Sequence, residues 1–288
     1  MSTEATRARL AYLTARVRRV RALTPRLVRV TLAGADLTGF ADAGPDQYVK
    51  VFFPAPGTSA PHLPPPLAED SMSWYRRYLA MPDAVRPAMR TYTVRAARPE
   101  AGELDIDFVL HDDAGPGSGW AASALPGDEV ALLGPHGLYD VPTGTSWQLL
   151  VGDESAVPAI AAICERLPDA ATAVVFVEVA DAADEIPLAP HRSRVDVRWV
   201  HRDGTTPVGA AVLAAVREAT LPAGAPYAWI SGEADLVRQL RRHLVRERGI
   251  DKRHITFTGY WRRGRTEEDA GREHLRAHDH GEVPSSQE

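Results

Sequence analysis

A small antiparallel β-barrel of about six strands, followed by a Rossmann-like parallel α/β domain, is the fold that this 288-residue chain predicts. Three observations predict it. Up to residue 142 the apolar residues fall largely in short alternating runs, the period of half-buried strands. From 146 to 264 apolar strand-like runs alternate with helical stretches, the rhythm of βα units and a parallel sheet. Between the two lies Pro142-Thr143-Gly144-Thr145-Ser146, a turn-rich break. The expected division is 1–142, 146–264 and a polar tail at 265–288, with enough chain for two domains of ordinary size.

Residues 15–23 and 27–32 alternate charged and apolar side chains on either side of Thr24-Pro25, which reads as a strand pair. Residues 48–53 form a short apolar strand. The stretch 54–87 is rich in proline and shows helical period only near 71–79; it reads as a long insertion, mobile or packed over a ligand edge. Strands at 91–96, 103–111 and 128–133 complete the barrel. In the second half, strands are expected at 147–151, 173–179, 195–200, 228–231 and 255–260, with helices at 156–167, 208–219 and 234–247. Beyond Gly264 no apolar period is visible, so the tail is expected to be disordered or loosely draped.

Composition narrows the function classes. Thirty-three Lys and Arg against 38 Asp and Glu leave a net charge of −5, which argues against general nucleic-acid binding. The one cysteine, Cys164, lies in an apolar helical stretch and allows neither an internal disulfide nor an iron–sulfur cluster. No apolar run reaches membrane-spanning length and no apolar signal core opens the sequence, so a cytoplasmic monomer is expected. His274, His278 and His280 lack metal-ligand spacing, and no metal site is expected. Arginines crowd the first strands and the late helix around Arg238, Arg241, Arg242 and Arg246: solvated faces, or a docking patch for an anionic ligand or an acidic electron carrier.

The most informative stretch is Arg90-Thr91-Tyr92-Thr93-Val94-Arg95. In a strand, Arg90 and Tyr92 share a face and Thr93 turns to the other. A guanidinium matches a pyrophosphate bidentately, a tyrosine ring offers a flat platform to a flat tricycle, and a small hydroxyl can bond a ring nitrogen. That combination points to a flavin. After the next strand comes Gly115-Pro116-Gly117-Ser118-Gly119, where glycines let the backbone approach a ligand. Ser118 is the expected N-cap of a short helix running to about residue 125, whose N-terminus is an anion site. Two anion devices flanking one aromatic platform suit FAD rather than FMN.

Six ordered motifs make the chain resemble the siderophore-interacting proteins, a branch of the ferredoxin-reductase-like flavoproteins, from about residue 17 to 264. They are Gln47-Tyr48-Val49-Lys50; Arg90 to Arg95; Phe108-Val109-Leu110-His111 leading to Gly115-Pro116 and Trp120; Pro126-Gly127-Asp128 with Gly134-Pro135-His136-Gly137; Gly152-Asp153-Glu154-Ser155-Ala156-Val157-Pro158-Ala159-Ile160; and Gly259-Tyr260-Trp261-Arg262-Arg263-Gly264. His136 and Ser155 depart from the family pattern, where an arginine or small residue and a threonine are expected.

The resemblance implies flavin-dependent reduction of ferric siderophores, with electrons from NADH, NADPH or ferredoxin. It extends the FAD contacts to Thr91, Arg95, His111, Asp113, Pro116, Trp120 and Trp261. It makes Gly152, Asp153, Glu154 and Ser155 the nucleotide turn, and Glu178, at the end of the next strand, is placed to meet the ribose hydroxyls and disfavour a 2′-phosphate. A cationic pocket for an anionic ferric siderophore is assigned to Lys50, Arg262 and Arg263. The alternatives are a general flavoprotein reductase that hands electrons to a partner protein, and a non-catalytic siderophore-binding module.

Overall fold

The computed structural model describes residues 11–65, 71–111, 115–188 and 194–279. Six strands close into an antiparallel barrel: β1 (Leu13–Ala22), β2 (Leu27–Ala33), β3 (Tyr48–Phe53), β4 (Ala88–Arg98), β5 (Glu103–Val109) and β6 (Glu129–His136), in the order β1-β2-β5-β4-β3-β6. The alternation seen in the sequence sets the faces. Ala15, Val17, Val30, Leu32, Val51, Ile106 and Leu132 fill the interior. Arg16 and Arg18 point outward to Glu129 and Glu103. Closure leaves no free sheet edge.

The second half is a five-stranded parallel sheet, β11 (Ile255–Trp261), β10 (Pro226–Glu233), β7 (Trp147–Asp153), β8 (Thr172–Val179) and β9 (Arg194–His201), in that order. Helix α3 (Val157–Arg166) covers one face through Ile160 and Ile163. Helices α4 (Ala210–Glu218) and α5 (Ala234–Arg246) cover the other through Val212, Val216, Leu236 and Leu240. All four central positions of β7, Gln148 to Val151, are buried, as expected of a strand covered on both faces.

Barrel and sheet meet through a packed joint. Buried Asp46 accepts hydrogen bonds from Leu138 N and Tyr139 N, both at 3.0 Å, and from Trp229 Nε1 of β10 at 3.0 Å. Arg26 pairs with Asp184 at 2.6 Å, and Arg166 of α3 with Asp42 at 2.9 Å. No helix among the described residues is long and apolar enough to cross a membrane.

Two expectations change. The described residues of the insertion do not line the cleft between the barrel and the sheet. Its helix α1 (Ser71–Ala80) seats Trp74 and Tyr78 on the outer barrel wall against Phe52, Met89 and Leu133. The described part of the tail is not loose: Glu267–Asp279 form helix α6, which packs against α1. Thr266 caps it, accepting from Asp269 N at 3.1 Å.

Candidate active-site cleft

Between the barrel rim and the carboxyl ends of the parallel strands lies a cleft of about 2290 Å³. A pocket for one small molecule is roughly 300–1,000 Å³, so this cleft has room for more than one ligand. The barrel wall supplies Lys50, Arg90, Thr91, Tyr92 and Thr93 from β3 and β4, and His111 with Gly115, Pro116, Gly117 and Ser118 beyond β5. The opposite wall supplies Glu154 and Ser155 from the β7–α3 turn, Trp261 at the end of β11, Arg262 and Arg263 just beyond it, and the arginines of α5.

Tyr92 forms the platform. Its ring leans on Phe108, centroids 4.3 Å apart, and sits edge-on to Phe53. Burial, only partly opposed by nearby Arg90, pushes its hydroxyl well above the ordinary tyrosine range, so it stays a neutral donor. Helix α2 (Pro116–Ser123) begins at this ring. A Cβ on Gly117 would lie 2.0 Å from the Tyr92 hydroxyl oxygen, so only glycine lets the ring and the helix start come together.

The helix begins earlier than the serine suggested. Gly115 is the N-cap and Pro116 the first helical residue, where proline's fixed φ favours initiation. Ser118 is therefore not the cap; it is buried inside the first turn, where its Oγ accepts from His111 N at 3.1 Å. The helix also stops at Ser123 rather than near 125.

Arg90 is half committed. Its Nη1 bonds Glu268 Oε1 and Oε2 of α6 at 2.6 and 2.8 Å and the Met89 carbonyl at 2.6 Å. Its Nε and Nη2 make no hydrogen bond among the described residues, which leaves a fork for a phosphate. Burial works to raise the Glu268 carboxyl, but the charge and hydrogen bonds of Arg90 outweigh it and hold the group below its ordinary range. Lys50 Nζ lies 2.7 Å from Glu267 Oε1, and Glu267 also takes Thr91 N and Oγ1, each at 3.0 Å. The acid pair Glu267–Glu268 is absent from the sequence-based site. The signal was present: Thr266-Glu267-Glu268-Asp269 is a helix-start signature.

The nucleotide turn is built around Asp153 rather than offering it. Asp153 is fully buried and accepts from Ser155 N (2.9 Å), Glu233 N (2.7 Å), Trp261 Nε1 (3.0 Å) and the Ser155 hydroxyl. Burial, with a smaller push from Glu154, raises its carboxyl to about 6, against the pull of those donors. Asp153 thus orients Trp261 at the cleft. Gly152 serves packing as well as approach: a Cβ there would meet Ser231 O at 2.6 Å.

Three expected contacts go elsewhere. Glu178 is fully buried, and its two oxygens accept from Gly209 N (2.7 Å) and Val212 N (3.1 Å) at the start of α4, with Arg202 alongside at 3.7 Å. It is a helix-capping carboxylate outside the cleft, not a ribose ligand. Arg95 leaves the cleft to pair with Glu165 of α3, because the register shifts between Val94 and Ala96 and re-aims it. Trp120 faces inward from α2 against Phe53 and Phe108, at 5.1 and 5.7 Å. Asp113 lies outside the described residues.

Residues 16–139 match the family model of the siderophore-interacting FAD-binding domain, and 145–264 that of the siderophore-interacting protein. The chain is 37% identical over 250 residues to the ferric vibriobactin reductase ViuB of Vibrio cholerae, covering 85% of this chain and 88% of that one. The chain belongs to the siderophore-interacting protein family. It is also 34% identical to the NADPH-dependent ferric-chelate reductase of Escherichia coli, over 85% of this chain and 91% of the relative. Among solved structures, the siderophore utilization protein from T. fusca superposes with a TM-score of 0.77 at 39% identity, covering 89% of this chain and 95% of that one. A ferredoxin reductase of carbazole 1,9a-dioxygenase superposes at 0.61 with 18% identity, over 87% of this chain and 69% of that one, a likeness of fold alone.

Proposed function

We propose that this protein reduces ferric siderophores and releases their iron as Fe(II), using FAD and a reduced nicotinamide. The observation that carries the reading is the Tyr92–Gly117 contact: an aromatic platform pressed on a helix start, facing a cleft deep enough for two ligands. The residues present fit FAD. Tyr92 would offer its ring to the isoalloxazine, Thr93 would supply a hydroxyl, and the free side of Arg90 with the first amides of α2 would hold the pyrophosphate. FAD, when bound, links a two-electron hydride donor to a one-electron acceptor such as Fe(III).

The chain's own contribution is placement. Glu154 and Ser155 mark where a nicotinamide nucleotide enters from the sheet side, with Trp261 held at the cleft by Asp153. Arg262 and Arg263 carry exposed positive charge over the opening, and Lys50 sits on the barrel side. They attract the anionic chelate and bring its iron to the platform. Gain of one electron, which turns Fe(III) into the softer, less charged Fe(II), then weakens the hold of the chelate's hard oxygen donors. No protein acid, base or nucleophile is needed.

A second reading concerns the electron donor. Arg238, Arg242 and Arg246 are exposed at i, i+4 and i+8 on α5 and line the same cleft, a row suited to an acidic carrier such as ferredoxin. Anaerobic assays with the FAD-loaded protein, a ferric siderophore and an Fe(II)-trapping dye separate the cases. Reduction by NADPH or NADH well above that of free FAD is expected; rates equal to free flavin with every donor would reject the function, and reduction with reduced ferredoxin only would install the second reading.

A further inference from the structure

The carboxylate of Glu267 makes the contacts that an anionic ligand would make at this rim. It holds one ammonium, from Lys50 at 2.7 Å, one backbone amide, from Thr91 at 3.0 Å, and one hydroxyl, from Thr91 at 3.0 Å. Its neighbour behaves differently. Glu268 is buried at 12% side-chain exposure and fixed by Arg90, Met89 N and the Tyr78 hydroxyl, whereas Glu267 and Lys50 keep 24% and 31% exposure on the cleft. One acid is a fixed anchor and the other is open to the cleft.

The helix that carries Glu267 does not depend on it. Gly271 packs so closely on Tyr75 of α1 that a Cβ would fall 1.8 Å from the hydroxyl oxygen. Thr266 caps the first turn, and Glu268 holds the barrel. Releasing Lys50 therefore leaves α6 seated, and exchange at Lys50 is local.

We propose that Glu267 is the specificity-determining residue of the ferric-chelate site: it stands in for a chelate anion on Lys50, and an incoming chelate has to displace it. This rests on the function proposed above and deepens it. A chelate with several negative charges regains in Lys50 what it costs to move Glu267. A chelate without net charge gains nothing from the exchange and binds through other contacts. The acid thus weakens binding of anionic chelates while leaving neutral ones unaffected, and tunes the site by charge rather than shape.

The test is Glu267→Gln, which keeps the side-chain length and an acceptor for Thr91. Binding of redox-inert gallium(III) chelates to the FAD-loaded protein is measured by calorimetry, with a tri-catecholate of net negative charge and a neutral tri-hydroxamate. The variant should bind the tri-catecholate about three- to tenfold tighter than the parent at low ionic strength, the scale of a partly exposed charge contact, and the gain should shrink in high salt. The neutral chelate should bind both proteins equally. In the Lys50→Gln background the added Glu267→Gln change should give less than half of that gain. Equal gains for both chelates, or none for the charged one, overturn the inference while leaving the function intact. Failure of the parent to bind either chelate overturns both.

Discussion

Replacing Gly117 by alanine tests the platform directly. The added Cβ would lie 2.0 Å from the Tyr92 hydroxyl oxygen, 3.0 Å from Cζ and 3.3 Å from Cε2. Ordinary contact distance is ~3.5 Å, so the ring tip must retreat by ~1.5 Å. Phe108 and Phe53 block the barrel side, and the open direction is the cleft, where the flavin would lie. Gly117 does not have positive φ, so no backbone strain confuses the result. Overpacking of this kind costs about 1–3 kcal/mol, and if it falls on the bound state the affinity for FAD drops roughly 5- to 150-fold. The assay is titration of flavin-free protein with FAD, followed by flavin fluorescence. Tyr92→Phe in the same background removes the atom at 2.0 Å and should restore most of the affinity. Unchanged affinity in Gly117→Ala, or a double variant no better than the single one, would refute the assignment of this contact to the flavin site.

Two further outcomes are expected. Glu178→Ala removes the buried acceptor for Gly209 N and Val212 N, so it should cost ~1–2 kcal/mol and lower Tm by roughly 3–6 °C without changing the NADPH-to-NADH rate ratio, checked by thermal melts and steady-state rates. Glu268 has a folded-state carboxyl held below its ordinary value by Arg90, so its contribution to seating α6 is present above the unfolded value of ~4.3 and lost as pH falls through the folded one; exchange of α6 amides, measured by mass spectrometry, should stay slow at neutral pH and rise sharply only below that value, with Glu268→Gln losing the pH dependence.

Much of this was readable from the residues because strand period and helix period differ. Every strand from 15–23 to 255–260 was expected within a few residues, since each buries one or two apolar faces. What escaped depended on partners distant in sequence. Glu178 reads as an available strand-end acid, yet the helix start it caps lies 31 residues on. Arg95 belongs to the flavin motif by spacing, but the register shift beside it turns it to Glu165. Ser118 looked like a cap because serine prefers that place, and the Gly115-Pro116 pair overrode it. Helix α6 was missed for a different reason: it lacks an apolar stripe, and is seated by Glu268 on Arg90 and by close packing on Tyr75.

The α6 acids bear on how a protein of net charge −5 would take the anionic chelate proposed above. Two sets among the cations of the cleft contrast. Arg90 and Lys50, on the barrel, are each matched by a carboxylate from α6. Arg242, Arg246, Arg262 and Arg263, on the opposite wall, make no ion pair among the described residues. On the function proposed above, long-range attraction of a chelate would come from the α/β side, while the barrel side would keep its positive groups oriented but nearly neutral until a ligand arrives. Mobile, unpaired cations at the barrel would hold any anion. Paired ones respond only to a ligand that competes with a carboxylate already in place, and the insertion helix α1 acquires a role through this arrangement: by fixing α6 through Tyr75 and Tyr78, it holds that competing carboxylate at the rim.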